Sequence, residues 1–376
     1  MIQGTPLQGG QVTRKIKKVA SACRRRLLQA LGGKQTVEAD ERHSGWHKRA
    51  AADHRQVVEN QKGEQLDPAV IRVCDDYARD VFGWEGYADW LYAYSAMAGT
   101  FKEGWIPYNY YTKVVLPRTK QDMRGLSDLR VIESTLFDTD LFPTIACYAN
   151  GLFTTKSFEI IPPDAVKEYL FQHGDRVVFK LHTSMQGRGV FVYTEEDFDV
   201  DVVVKAGNGV FQSYARQHRF FDQFNTNSVA NLRLATVVDD KGQVSCRAGY
   251  LRFSLDAKAT VSIHTSLKVP IDLATWQLHS EAYRHDWYAV TQKTESGFEF
   301  GGATIPGLDK SIAVVCDLQK KLPFCRSVGW DICIGPDEET QVLEWNTKRN
   351  SITFFEATVG PCFADLGWEN LWKTAQ

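Results

Sequence analysis

Residues 328–346 read VGWDICIGPDEETQVLEWN, two apolar runs around a short polar stretch. Gly335 to Thr340 has the composition of a connecting turn, so the flanking runs are expected to pair as an antiparallel hairpin. A register centred on Asp337 and Glu338 sets Asp331 directly opposite Glu344. Side chains alternate faces along a strand, which places Glu344 and Asn346 on one face. Carboxylates facing each other across a ladder repel and destabilise it. A cation would relieve them. Two carboxylates with one carboxamide oxygen form a hard-oxygen set suited to Mg²⁺, which keeps several waters and shares its shell with phosphates. An exposed sheet face carrying ordinary polar residues is the competing reading, and the rest of the chain decides between the two.

The chain has 376 residues, enough for two or three compact domains with a sizeable core. Its 44 Lys+Arg stand against 46 Asp+Glu, so there is no global bias toward nucleic acid or a membrane. Residues 13–34 are the local exception, with eight basic residues, no acid, and Ile16, Val19, Leu27, Leu28 and Leu31 interleaved. That pattern suits peripheral contact with an anionic membrane surface or a partner, against the plainer reading of a solvated leader. It is too charged to span a bilayer or to act as a secretory signal. The eight cysteines form no CxxC pair and no zinc spacing. Scattered thiols of this kind indicate reduced, mostly buried cysteines and a cytoplasmic protein, with the inner face of the membrane as the place of any peripheral contact.

Residues 1–65 are polar and basic and read as an extension or short, peripherally packed helices. From 66 to 98 two helices fit, opened by Asp67 as N-cap and Pro68 at the first helical position. Their aromatics Trp84, Tyr87, Trp90 and Tyr92 read as packing. Beyond 129, DLRVIESTLF reads as helical and PTIACYANGLF as extended. PDAVKEYLFQHG reads as a helix capped by Asp164 and stopped by Gly174. RVVFKLHTSMQGRGVFVY gives two β runs joined by a glycine-containing loop, and a further strand lies near 210–214. NLRLATVVDDKGQVSCRAGYLRFS is a hairpin turning at Asp239–Gly242. One helix, SIAVVCDLQKKL, precedes the opening hairpin, and an aromatic-rich tail follows it. Interspersed helices and mainly antiparallel strands make this an α+β chain.

Lys180 ends an apolar strand just before HTSMQGRG. A snorkelling edge lysine would look the same. With Ser184, Gly187 and Gly189 following, the segment also suits phosphate, through backbone N–H groups and an ammonium point charge. There is no Walker loop, and no GxGxxG opens a helix.

In this order the segments resemble the ATP-grasp enzymes, in the branch associated with sugar transfer and cell-envelope polysaccharide assembly, and are similar to teichuronopeptide-type proteins. The resemblance runs from about 80 to the C-terminus. It rests on VVFKLHTSMQGRGVFVY, FQSYARQH, NLRLATVV with GYLRFS, and above all on the carboxylate and ExN pair thirteen residues apart in the opening hairpin. It implies an ATP-grasp fold with a basic extension (1–65), a helical N-terminal region (66–155), a small α+β lid (156–211) and a larger antiparallel α+β domain (212–376). It further implies that Asp331, Glu344 and Asn346 hold Mg²⁺ on the phosphates of ATP, that Lys180 contacts the α- and β-phosphates, and that Ser184 to Gly189 close as a lid. Gln212, Ser213, Tyr214 and Ala215 would flank adenine, and Arg233 and Arg252 would stabilise the transferred phosphate.

Two departures accompany the match. Where relatives have an Asp-Lys pair, this chain reads Asp128-Leu129-Arg130, making Arg130 the phosphate-binding counterpart and Lys156 the fallback, although guanidinium and ammonium are not equivalent. VSIHTSLKVPID (261–272) lacks the glycine pair expected there, a departure that touches the acceptor pocket and not ATP binding. The implied activity is ATP- and Mg²⁺-dependent ligation of a carboxylate to an amine through an acyl phosphate, on small-molecule or sugar-linked substrates. A phosphotransferase acting on a hydroxyl and a catalytically silent nucleotide-binding module are the alternatives on the same cleft. A membrane-docked interaction protein built on the basic leader is a third.

Overall fold

The computed structural model describes residues 41–172, 174–185, 188–224, 228–254, 265–348, 350 and 352–373, and their side chains outside 41–44 and 183–188. The basic stretch 13–34 lies outside the described residues. Helix α1 (Glu41–Lys62) is longer and better embedded than the sequence suggested, because its apolar and aromatic positions converge: Ala51, Val58 and His47 are all buried. Helix α2 (Pro68–Phe82) starts as expected. The Asp67 carboxylate accepts the Ala69 N–H at 2.7 Å, and Gly83 ends the helix at φ +77°, a conformation that favours glycine. Helix α3 (Ala88–Ala98) follows, and the aromatics of this region pack on one another and into the core.

After an irregular helical run from Tyr108 to Thr119, the stretch read as one helix from 129 breaks into a 3₁₀ turn, Arg130–Ile132, and α4 (Glu133–Phe137). Strands β1 (Thr144–Ala149), β2 (Leu152–Thr155), β3 (Ile160–Ile161), β4 (Arg176–Met185), β5 (Arg188–Thr194) and β6 (Gly209–Ser213) form an antiparallel sheet in the order β3-β2-β1-β6-β4-β5. This sheet begins at Thr144, so it takes in β1 and β2 from the segment assigned to the helical region. Two helices flank it. In α5 (Val166–Phe171) the cap position is Ala165, with no side-chain bond, so Asp164 does not cap it. The unexpected α6 (Val200–Ala206) is capped by Asp199, which accepts the Asp201 N–H at 2.8 Å.

The larger sheet comprises β7 (Asn231–Val238), β8 (Val244–Ser254), β9 (Ser266–Asp272), β10 (Gln277–Leu278), β11 (Ala282–Tyr283), β12 (Ala289–Thr291), β13 (Ser327–Ile334) and β14 (Thr340–Asn346). Its order is β12-β11-β9-β8-β7-β13-β14, with β10 on β9, and every pairing is antiparallel. One face, carrying Leu232, Leu234, Leu251, Val269 and Trp330, packs on α7 (Leu308–Lys320). On the other face Ala235, Val237, Ala248 and Tyr250 pack against α1–α3 and α8 (Ile352–Thr358). Strict alternation therefore sends Arg233, Arg252, Lys268, Asp331, Glu344 and Asn346 to that second face as well. The chain crosses from the small sheet to the large one just after β6, where the His218 N–H donates to the Ile334 carbonyl at 2.8 Å.

Candidate nucleotide and metal site

The hairpin pairs Gly329 with Asn346, Trp330 with Trp345 and Asp331 with Glu344, as the sequence register required. Nearer the turn the ladder slips by one, to Ile332 with Val342, and Leu343 is the extra residue. A bulge of this kind frees backbone groups from the ladder. Here the Leu343 carbonyl accepts a bond from Lys180 Nζ at 3.0 Å, tying β4 of the small sheet to β14 of the large one.

The opposed acids are already neutralised inside the protein. Arg233 Nε lies 2.8 Å from Asp331 Oδ1, and Arg130 Nη2 lies 3.1 Å from Glu344 Oε1. Repulsion between the carboxylates is thus relieved by two guanidinium groups before any metal binds, which the sequence did not reveal. Arg233 stands directly between Asp331 and Tyr250 in the cross-strand register. Its side chain lies across Gly329, where a Cβ would come within 2.6 Å of Arg233 Nη1. Any larger residue at 329 would displace the guanidinium.

Burial by itself would raise the Glu344 carboxyl, but Arg130, Lys180, Arg233 and Arg252 outweigh it and hold the group below its usual value. Burial, reinforced by Arg130, pulls the Lys180 ammonium down, against the opposing pull of Glu344, Glu133 and Asp331. Cations facing a few acids in a half-dry cleft are an arrangement for a polyanion.

Glu133 is a member of this cluster that the sequence reading missed. It is buried, accepts a hydrogen bond from Thr144 Oγ1 at 3.0 Å, and is pushed up mainly by desolvation. Nothing at VIES marks it, because its partners come from distant strands. Gln212, assigned beside adenine, is also turned inward, with Nε2 at 3.3 Å from Thr144 Oγ1 and 3.4 Å from Glu133 Oε1. The Ser213 N–H donates to Pro143 O at 2.9 Å, the Tyr214 ring lies 4.0 Å under the Arg176 guanidinium, and Ala215 is buried. This segment is therefore the joint between the sheets.

Arg130 reaches the cluster and Lys156 does not; Lys156 sits at the β2–β3 turn, 2.6 Å from Asp140. Ser184 and Gly189 flank the β4–β5 connection as strand residues, with Gly189 at φ +81°, and Gly187 lies outside the described residues. Lys348 pairs with Asp128 at 2.5 Å and borders a cavity of about 550 Å³ that Arg124 also lines. Arg349 lies outside the described residues.

The donor set fits Mg²⁺. Among the described residues no group of three or more His, Cys, Asp or Glu is placed to hold a metal, and here the third oxygen comes from an amide. The buried Asn346 Nδ2 has no hydrogen-bond partner, so no internal bond of that nitrogen opposes turning the amide oxygen toward a cation. The two carboxylates share its face of the sheet.

A family model described as sugar-transfer associated ATP-grasp matches residues 200–365, which include the hairpin. No curated protein matches. Among solved structures, the Campylobacter jejuni biotin carboxylase–β,γ-ATP complex is similar at 11% identity and TM-score 0.43, over 86% of this chain and 68% of that one. The biotin carboxylase domain of the Hydrogenobacter thermophilus 2-oxoglutarate carboxylase, solved with MgADP, ADP and bicarbonate, is similar at 11% identity and TM-score 0.40. That match covers 64% of this chain and 45% of the other, so the chain spans less than half of its length. The ATP-grasp ligase PsnB, solved with a variant of its minimal precursor, Mg and ADP, is similar at 15% identity and TM-score 0.36, over 75% and 66%. None of the described helices is long and apolar enough to cross a membrane. Residues 200–365 thus match the sugar-transfer associated ATP-grasp family, the branch that the sequence segments resemble.

Proposed function

We propose that the protein is an ATP- and Mg²⁺-dependent carboxylate–amine ligase acting in cell-envelope polysaccharide assembly or on a related amino-acid–sugar conjugate. The observation that carries this reading is the meeting of Arg130, Lys180, Arg233 and Arg252 around Asp331 and Glu344 where the two sheets face each other. Asp331, Glu344 and Asn346 would hold Mg²⁺, which when bound neutralises phosphate oxygens. Lys180 binds the α- and β-phosphates, Arg130 replaces the second phosphate-binding lysine, and the Ser184–Gly189 loop covers them. Arg233 and Arg252 face the transferred group and the charge that develops on it.

In the reaction, a carboxylate oxygen attacks the γ-phosphorus, the bond from that phosphorus to the β,γ-bridging oxygen breaks, and ADP leaves. The amine nitrogen then attacks the acyl carbon, phosphate departs with the carbon–oxygen electron pair, and the nitrogen loses a proton. Positioning and electrostatics supply the acceleration. No covalent enzyme intermediate is needed. In keeping with this, burial raises the thiols of Cys147, Cys246 and Cys333 to about 12, which makes them poor nucleophiles.

The test is a screen of carboxylic acids and amines for ADP release that requires both. Amine-dependent ADP and free phosphate support ligation, and a phosphorylated hydroxyl product would assign the cleft to a kinase.

A further inference from the structure

Arg252 on β8 stands directly opposite Lys268 on β9. This is a second like-charge cross-strand pair, on the same face as Asp331 and Glu344 and separated from their strands by β7 alone. Like charges so placed destabilise a sheet. Unlike the acids, the two cations have no ion-pair partner among the described residues. Arg252 Nε donates to the neutral Asn231 Oδ1 at 3.0 Å. Lys268 Nζ lies 5.3 Å from the centroid of the Tyr250 ring and 5.0 Å from that of Phe354, so neutral π faces are its neighbours.

The next pair along the same face is Ser254 with Ser266. Ser266 is buried, and its hydroxyl has no hydrogen-bond partner. Two cations and a hydroxyl without an anion or hydrogen-bond partner among the described residues thus form one continuous patch, which reaches the metal hairpin through Arg233. Burial and the neighbouring Arg252 and Arg233 lower the Lys268 ammonium, with Tyr250 and Asp331 opposing.

The geometry points to Lys268, with Arg252, as the seat of the acceptor's carboxylate. A carboxylate there would pair with the Arg252 fork and the Lys268 ammonium. Arg233 would then stand between the acid and the phosphate that its oxygen must attack. This inference rests on the ligase reading, and it names Lys268, within the 261–272 stretch that departs from the family pattern, as a specificity determinant.

The test loads the protein with Mg²⁺ and a non-hydrolysable ATP analogue, so that the phosphate site is filled, and titrates succinate and inorganic phosphate by ligand-observed NMR. Wild type is expected to bind succinate saturably and at least tenfold more tightly than phosphate. Lys268→Met should weaken succinate binding at least tenfold and Lys268→Arg less than threefold, with analogue affinity unchanged within twofold in both. Equal succinate binding by Lys268→Met and wild type, or none by wild type, overturns the proposal, and a preference for phosphate assigns the patch to a phosphorylated ligand instead. If the analogue does not bind wild type, the ligase reading fails, and the succinate titration of the free protein still decides the subsite by the same criteria.

Discussion

Two like-charge pairs sit on one sheet face, and the protein treats them differently. Asp331 and Glu344 each have an arginine within ion-pair distance, whereas among the described residues Arg252 and Lys268 meet an amide and two aromatic rings. The acid pair is held together by the fold; the basic pair has no described counter-ion within it. Removing a member of the first pair should therefore harm both stability and chemistry. Removing Lys268 from the second should harm recognition and leave the fold intact.

The largest expected effect is at the acids. Glu344→Gln and Asp331→Asn should lower Mg²⁺-dependent turnover by more than about 100-fold, the scale seen when one transition-state electrostatic contact is lost; steady-state ADP release measures it. Asp331→Ala should also destabilise the protein by about 3–5 kcal/mol, because Arg233 is left buried without its carboxylate. Lys268→Met, by contrast, should leave the denaturation midpoint of the free protein unchanged or raise it, since a cross-strand repulsion disappears. Equal destabilisation by the two substitutions would erase the contrast.

Next in size is Lys180. Lys180→Ala should weaken nucleotide binding by about 1.5–3 kcal/mol, the range for a hydrogen bond to a charged group, as measured by calorimetry. The wild-type affinity should also depend on pH. Burial and Arg130 bring the ammonium down to about 8, so nucleotide affinity falls as pH rises through that value and the charge is lost. Stability of the free protein moves the other way: between about pH 8 and 10.5 the unfolded chain holds the proton more tightly, so this group makes folding more favourable as pH rises. Affinity that is flat from pH 7 to 9 would place Lys180 away from the phosphates.

The smallest effect on binding is expected at Gly187→Val. If Ser184 to Gly189 act as a lid, restricting Gly187 should change ATP affinity little but raise the ratio of phosphate released to amide formed, because an acyl phosphate open to water hydrolyses. A wild-type ratio would show that the loop is not a lid.

The hairpin was legible because its information is local: two apolar runs, a turn, and acids whose register the turn fixes. The cap at Asp67 and the β7–β8 turn were legible for the same reason. What the sequence hid was contact at long range. Glu133, Thr144 and Gln212 meet only once β1 and β6 pair, and Arg130 reaches Glu344 across 214 residues of chain. The Arg252–Lys268 pair was hidden because β9 was not read as a strand, and eleven residues of sequence separate it from β8, so no local pattern sets its register. Helix α1 was underestimated since its buried residues are few and mixed in polarity, and their burial comes from the layer beneath.

The most direct test of the central claim is nucleotide titration with and without Mg²⁺ in wild type and Glu344→Gln. If Asp331, Glu344 and Asn346 hold the ion on the phosphates, Mg²⁺ should tighten ATP binding by at least tenfold in wild type and by less than twofold in Glu344→Gln, with Mg²⁺-free binding similar in both. The same Mg²⁺ enhancement in both proteins would contradict the account.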